Sequence, residues 1–270
     1  MALTKKTLMY AIHMDGQYFD TLIFGASFLG LGAALSMNNC AVIEGGCLFG
    51  AEFVNCYKVN APEQIKVKTK PGAAFWADLQ KRGLVYENGD IYQGPSVYVL
   101  SRFLKVKNMD IYLMAEVIDL KKIDGLYNIT VYTTKGFEYF KAKKIIETTT
   151  FGKYRKQKTN IKKCLNAIMH NPSGCSLTGL SHNRASGLYT YSLDLPAEIS
   201  RYEATEKLCA MENDFALNDM RISSIAADFA YTMEKVSEKI DDNFFWYPSA
   251  GRANLIAAFD EGVYLGETIT

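Results

Sequence analysis

The apolar positions near the start of the chain predict two short strands joined by a helix. Residues 21–24, with three apolar residues after a threonine, are typical of a buried parallel strand, and residues 28–37 have the apolar spacing of a helix. Residues 40–44 form a second short apolar run that ends in an acid. Because the connections are short, this segment predicts a β–α–β unit with parallel strands and a right-handed crossover.

The rest of the pattern predicts an antiparallel meander between helical segments. In chain order it predicts helices over 71–82 and 96–107, strands over 110–120, 127–133, 137–141, 144–149 and 188–193, a helix over 199–215, and a closing helix over 250–265. Asp124-Gly125 and Lys135-Gly136 are turn signals between the strands of the meander. Residues 221–233 fit either a strand or a helix.

The turn after the first predicted strand carries candidate chemistry. The sequence GASFLG, from Gly25 to Gly30, has the spacing of G-x-G-x-x-G with Ser27 at the second glycine. In that pattern the first glycine allows a sharp turn, the second lets backbone approach a pyrophosphate, and the third lets helix and strand pack closely. Unpaired N–H groups and the dipole at the start of the helix favour an anion. The hydroxyl of Ser27 can itself donate to a phosphate.

Glu44 stands at the end of the second predicted strand, about twenty residues after the glycine turn. A carboxylate at this position accepts both hydroxyls of an adenosine ribose, and it argues against a 2′-phosphate because two anions repel. The segment from Gly25 to Glu44 therefore predicts a dinucleotide site. The alternative is that the glycine-rich turn only allows helix and strand to pack closely and binds no ligand.

Three segments together resemble a known class of proteins. They are DTLIFGASFLGLGAAL with AVIEGG, then KAKKIIETTTFG, and finally PSAGRANLIAAFDEGVYLGE. They are similar to FAD-dependent oxidoreductases of the glutathione-reductase-like class, in particular single-FAD enzymes related to fumarate reductase flavoproteins. The resemblance implies an α/β fold: a Rossmann-like FAD-binding domain with an antiparallel β-meander (19–154 plus 236–270) and a small inserted α+β substrate domain (155–235).

The resemblance also implies which residues contact FAD. Those expected at the pyrophosphate are Gly25, Ala26, Ser27, Phe28 and Gly30; at the adenosine ribose, Glu44; at the ribityl chain and flavin, Gly45, Gly46 and Gly50; at adenine, the backbone of Val117; near the cofactor, Thr149; and at the flavin ring, Ser249, Gly251, Arg252, Ala253, Asn254 and Leu255. A cation at Arg252 would stabilise a reduced, anionic flavin. The chain departs from the class at Ser27, at the Thr-Thr-Thr-Phe-Gly turn, and at Pro248-Ser249, where a Gly-Asp pair is usual.

Composition and charge narrow the partners. The net charge is +1, with 30 basic and 29 acidic residues, which argues against nucleic acid as a partner. Six cysteines without a C-x-x-C pair give no support for a metal site. No apolar stretch approaches the roughly 20 residues of a membrane span, so we expect a cytoplasmic protein without a membrane partner.

These observations predict an FAD-dependent oxidoreductase that acts on a small organic molecule by hydride transfer to or from flavin N5. Two alternatives stay open: a NAD-binding dehydrogenase, and a non-catalytic flavin-binding subunit of a larger complex. No catalytic residue can be named; Cys47, Glu52, Asn55 and Cys56 follow the glycine turn as polar groups near the expected flavin. The substrate region is short, so a second copy of the chain or a partner subunit is expected to complete the site.

Overall fold

A computed structural model describes residues 16–58, 65–86, 89–156, 158–171, 178–182 and 188–269 of the 270-residue chain. Its elements in chain order are β1 Gln17–Phe24, α1 Phe28–Ser36, β2 Cys40–Ile43, α2 Ala51–Val54, α3 Lys70–Lys81, α4 Gln93–Lys107, β3 Asp110–Tyr112, β4 Glu116–Ile123, β5 Leu126–Thr133, β6 Gly136–Glu147, β7 Ile161–His170, β8 Leu180–His182, β9 Leu188–Leu195, α5 Arg201–Ala210, α6 Glu212–Leu217, β10 Arg221–Ile225, β11 Ala230–Met233, β12 Glu238–Asp241, β13 Phe244–Trp246 and α7 Leu255–Thr268. A short 3₁₀ turn, Ser249–Gly251, precedes α7.

The first sheet is built around β1, which lies between β2 and β6 and runs parallel to both. Phe24, the last residue of β1, pairs with Ile43 of β2 and with Glu147 of β6. The strand order is β12-β13-β6-β1-β2-β3, and β4 and β5 continue from β6 as antiparallel neighbours. The parallel β–α–β unit and the α/β fold class predicted from the sequence are therefore confirmed, and the carboxyl ends of three strands meet at one edge.

The meander exists, but three of the predicted strands have different limits. Residues 110–120 divide into β3, which pairs with β2, and β4, which pairs with β5. Residues 137–141 and 144–149 belong to one strand, β6, instead of two. The strand continues because Ala142 pairs with Tyr127 of β5 on one side and with Phe19 of β1 on the other, so both neighbours hold it extended.

A second, antiparallel sheet has the order β10-β7-β9-β8, with β11 also paired to β7. Residues 221–233, which fit either type of element, form the two strands β10 and β11. Strand β7 is central to this sheet, yet the sequence pattern did not predict it, because Lys162 and Lys163 interrupt its apolar run. The helix predicted over 199–215 breaks at Met211 into α5 and α6, which pack on this sheet.

The closing helix starts later than the sequence predicts. It begins at Leu255 instead of residue 250, because Asn254 caps it: the Asn254 side-chain oxygen accepts the N–H of Ala257 at 2.8 Å. Helix α7 then lies directly against α1, where a Cβ added to Gly262 would overlap the carbonyl oxygen of Leu29. Glycine is required there so that the two helix backbones can approach, and this contact fixes α1 on the sheet.

The contact between α1 and α7 predicts the effect of a single methyl group. Gly262→Ala should lower the free energy of unfolding by about 2 to 3 kcal/mol, since the added methyl forces two helix backbones apart. Gly94→Ala in α4 is the matched control, because a Cβ there meets no atom within 4 Å. It should leave stability unchanged or raise it by up to about 1 kcal/mol. Urea unfolding that shows equal effects at both positions would contradict the close approach.

Candidate functional site

The edge where β1, β2 and β6 end is shaped by the turn at Gly25. This residue has φ +97°, and its N–H donates to the carbonyl of Ile43 at 2.8 Å, so the chain turns sharply from β1 into α1. A side chain at Gly25 would come within 2.9 Å of the Thr148 hydroxyl. Gly30, one turn into α1, lies against the Gly25 carbonyl with no room for a Cβ. Both glycines therefore serve the turn and the close packing that the spacing predicts.

The hydroxyl of Ser27 is used inside the fold. It accepts the N–H of Gly30 at 3.0 Å as the N-cap of α1, and it donates to Thr148 Oγ1 at 2.8 Å. Thr148 Oγ1 in turn donates to the Gly25 carbonyl at 2.9 Å. Since its proton is already donated to Thr148, the Ser27 side chain cannot also donate to a phosphate in this arrangement, contrary to the expectation from the sequence. Thr148 is not among the residues that the sequence predicted for the site.

Glu44 follows β2 and faces the same edge. Its Oε2 accepts the N–H of Ala26 at 2.8 Å, and its Oε1 accepts the N–H of Gly46 at 2.7 Å. A cavity of about 440 Å³ lies beside it. Five of the residues predicted for the site line that cavity: Gly25, Glu44, Gly45, Val117 and Thr149. The fold thus gathers the turn, the acid and the meander around one space.

Glu52 of α2 reaches the start of α1. Its Oε1 accepts the N–H of Phe28, the first residue of α1, at 2.8 Å and also the hydroxyl of Ser249 at 2.8 Å. Burial raises the pKa of Glu52 to about 7, although these two hydrogen bonds pull that pKa down. Gly50 brings α2 to this place, because its N–H donates to the Ala26 carbonyl at 2.8 Å.

A buried lysine lies next to Glu52. Lys58 is 5% exposed; its Nζ donates to the carbonyl of Ala250 at 2.7 Å and lies 5.0 Å from the centre of the Phe53 ring. Burial lowers the pKa of Lys58, while the carboxylate of Glu52 raises it. Sequence reasoning missed Lys58, because only the fold brings residue 250 to it.

A second cavity of about 170 Å³ lies between α2 and the second sheet. Glu52 and Ala250 line it, together with Tyr231 of β11 and with Asp228 and Phe229 of the loop between β10 and β11. Its wall also includes Thr150, which lines the larger cavity as well, so the two spaces adjoin.

Hydrogen bonds connect β7 and the loop after β10 to residues 55–57, which directly follow α2. The side-chain amide of Asn166 in β7 donates to the carbonyls of Cys56 and Tyr57 at 2.8 and 3.2 Å. Asn55 donates to Asp228 at 2.9 Å. Burial raises the pKa of the Cys56 thiol to about 12, so this cysteine is a neutral, packed group at physiological pH.

Only part of residues 249–255, which were predicted to approach the flavin ring, lies at the site. Ser249 contacts Glu52, whereas the guanidinium of Arg252 points into the protein. Its two terminal nitrogens donate to the Pro248 carbonyl at 2.6 Å and to Glu261 of α7 at 2.7 Å. Ala253 is half-buried, and Asn254 and Leu255 begin α7. The expected cation at the flavin ring is therefore held in an ion pair instead.

Two negative findings complete the description of the site. Within the described ranges, no group of three or more histidine, cysteine, aspartate or glutamate side chains is placed to hold a metal ion. No helix among the same residues is both long and apolar enough to cross a bilayer.

Known proteins resemble this chain in structure but not in sequence. No protein family's sequence profile and no curated protein matches it. Glycine oxidase from Geobacillus kaustophilus superposes with a TM-score of 0.64 at 10% identity, over 94% of this chain and 95% of that one. p-Nitrophenol 4-monooxygenase from Pseudomonas putida gives 0.58 at 13% identity, over 94% and 80%. A complex of aklavinone-11 hydroxylase with FAD and aklavinone gives 0.59 at 12% identity, over 94% and 62%, so the chain spans about three fifths of that protein.

At such low identity these likenesses show the fold. The chain has the Rossmann-like fold of these flavoproteins, with the parallel sheet, the meander and the closing helix that the resemblance implied. None of these three proteins is a glutathione reductase or a fumarate reductase, so the closer relation to those enzymes stays a prediction.

The buried ion pair of Arg252 predicts that loss of its charge lowers the stability of the protein. Arg252→Met should lower the free energy of unfolding by about 3 kcal/mol, because the pair with Glu261 is buried on the arginine side. Lys235→Met is the matched control: Lys235 contacts the same carboxylate at 2.7 Å but is exposed, so its loss should cost less than about 1 kcal/mol. Chemical unfolding of both variants measures this. An unchanged stability in Arg252→Met would contradict a stabilising role of the pair between Arg252 and Glu261.

Proposed function

We propose that the chain is an FAD-dependent oxidoreductase that acts on a small organic molecule, with hydride transfer to or from flavin N5. The observation that carries the proposal is the shared cavity at the edge of β1, β2 and β6. There an acid at the end of β2, a glycine turn and the meander surround a space next to the start of a buried helix. This combination suits the adenosine part of a dinucleotide.

The residues present fit the two halves of FAD unequally. For the adenosine half, Glu44 would accept ribose hydroxyls, and Val117, whose backbone would contact adenine, lines the same cavity. For the pyrophosphate, the N–H of Phe28 would be the donor at the start of α1, although in this structure it donates to Glu52; the N–H of Ala26, in the turn before the helix, donates to Glu44. The smaller cavity, which shares Thr150 with the larger one, would lie next to the flavin half. Bound FAD would supply the two-electron chemistry.

The chain's own residues would supply position and protons. Glu52 lines the smaller cavity, and Lys58 is buried close to it. Burial raises the pKa of Glu52 and lowers the pKa of Lys58, which favours the neutral form of each group. A carboxyl with a pKa of about 7 can hold or release a proton near neutral pH. The aromatic rings of Phe229 and Tyr231 would exclude water from the smaller cavity. Residues 155–235, which contribute these rings, are our proposed substrate unit beside the cofactor domain of 19–154 and 236–270.

The structural neighbours favour FAD over NAD. They include a glycine oxidase, a monooxygenase and a hydroxylase seen with FAD. One observation favours the alternative of a non-catalytic flavin-binding subunit: the cavity on the flavin side is only about 170 Å³. A small-molecule substrate and completion of the site by a second copy or a partner subunit are also part of the proposal.

Removal of the acid at the end of β2 tests the cofactor site. Glu44→Ala should weaken FAD binding at least about tenfold, because a hydrogen bond from a ligand to a charged group contributes about 1.5 to 3 kcal/mol. Fluorescence titration with FAD measures the dissociation constant, and a parallel titration with NAD distinguishes the dehydrogenase alternative.

The matched control is Glu116→Ala, which removes an exposed acid at the rim of the same cavity. It should change the FAD dissociation constant less than about threefold, since surface charges are screened by salt. Equal losses in both variants would mean that Glu44 acts only through general charge. Tight binding of NAD without FAD binding would overturn the proposal.

A further inference from the structure

The start of α1 holds an anion that belongs to the chain itself. The Glu52 carboxylate accepts the N–H of Phe28 at 2.8 Å and the hydroxyl of Ser249 at 2.8 Å. The first N–H groups of a helix have no partner within the helix, and a carboxylate is a favourable acceptor for them. Glu52 comes from α2 and Ser249 from the turn before α7, so three separate segments of the chain meet at this carboxylate.

A pyrophosphate at this helix would need the same donor. Bound phosphates use the N–H groups that open a helix, and Phe28 supplies the first N–H of α1. In this structure the Glu52 carboxylate already accepts that N–H. A carboxylate and a phosphate oxygen cannot both accept it, and two anions a few ångströms apart in a partly buried place repel strongly. When a cofactor binds, the Glu52 carboxylate must therefore lose either its charge or its hydrogen bond to the Phe28 N–H.

The charges around Glu52 do not neutralise it. Lys58 is the nearby cation, and its Nζ donates to the Ala250 carbonyl at 2.7 Å instead of to Glu52. Arg252 is paired with Glu261. Among the acids, Glu44 accepts the N–H groups of Ala26 and Gly46, and Asp228 accepts the side chain of Asn55. The Cys56 thiol, which is neutral at physiological pH, donates to the backbone carbonyl of Glu52.

We propose that Glu52 sets the affinity of this site for a phosphate-bearing cofactor, by releasing the Phe28 N–H as a neutral carboxylic acid when the pyrophosphate binds. The inference rests on the proposed function, because it concerns the same dinucleotide site. The step is a proton balance without oxidation or reduction: one proton from solvent joins the Glu52 carboxylate for each cofactor bound. The freed N–H then donates to the phosphate.

The direction of the pH dependence follows from this balance. The complex holds one proton more than the free protein wherever free Glu52 is ionised, so affinity rises as the pH falls. Since burial raises the pKa of free Glu52 to about 7, the dependence lies above that pH. There the affinity should weaken up to about tenfold per pH unit. Below about pH 7, where Glu52 is already neutral in the free protein, the affinity should level off.

The test is calorimetric titration of the full chain with FAD and with ADP-ribose, between about pH 6 and pH 9. Both ligands carry diester phosphates that do not titrate in this range. Buffers with different ionisation enthalpies report the proton uptake directly. In the wild-type protein we expect close to one proton taken up at about pH 8, and an affinity that weakens about tenfold between about pH 7.5 and pH 8.5.

Glu52→Gln is the informative variant, because an amide cannot ionise. It should bind both ligands about tenfold more tightly than the wild type at about pH 8, with no pH slope and no proton uptake. Glu116→Gln, which removes an exposed acid at the cavity rim, is the control and should keep the wild-type slope. The wild-type proton uptake stands as a test even if Glu52→Gln does not fold.

The outcomes separate this inference from the proposed function. Tight binding in the wild type without a pH slope or proton uptake overturns the role of Glu52 and leaves the cofactor site intact. A slope that persists in Glu52→Gln overturns it equally. If the wild type binds neither FAD nor ADP-ribose at about pH 6, where Glu52 is neutral, both proposals are overturned.

Discussion

The opening N–H groups of α1 are the constraint on which the rest of the site depends. Backbone donors at a buried helix start require acceptors. Within α1, Ser27 accepts the N–H of Gly30 and Glu52 accepts that of Phe28, and in the turn just before the helix Glu44 accepts the N–H of Ala26. These acceptors come from the turn itself, from the end of β2 and from α2, so satisfying one helix end fixes the relative positions of three segments.

The same constraint explains why the site has two adjoining cavities. Glu44 faces the meander and the larger cavity, whereas Glu52 faces the second sheet and the smaller one. Thr148 holds the turn between them through its contacts with Ser27 and the Gly25 carbonyl. The two carboxylates therefore line different cavities, although both accept N–H groups around the same turn.

The sequence predicted those features that depend on neighbouring residues. The turn at Gly25, the acid at Glu44 and the parallel β–α–β unit follow from local spacing, and the structure has all three. The single strand β6 was not predicted, because its continuity depends on two partner strands that lie far away in sequence. The contacts of Ser249 with Glu52 and of Lys58 with Ala250 join residues almost two hundred positions apart, so no local pattern reveals them. Arg252 had a clear local pattern, but its ion pair with Glu261 depends on the conformation of the turn before α7.

The central claim is that the edge of β1, β2 and β6 holds FAD. The most direct measurement is an absorption spectrum of the purified protein after incubation with FAD at about pH 6 and removal of free flavin, repeated on the supernatant after denaturation. The account predicts flavin bands that accompany the folded protein at close to one flavin per chain. A colourless protein under these conditions would contradict it and leave the turn at Gly25 as a packing feature.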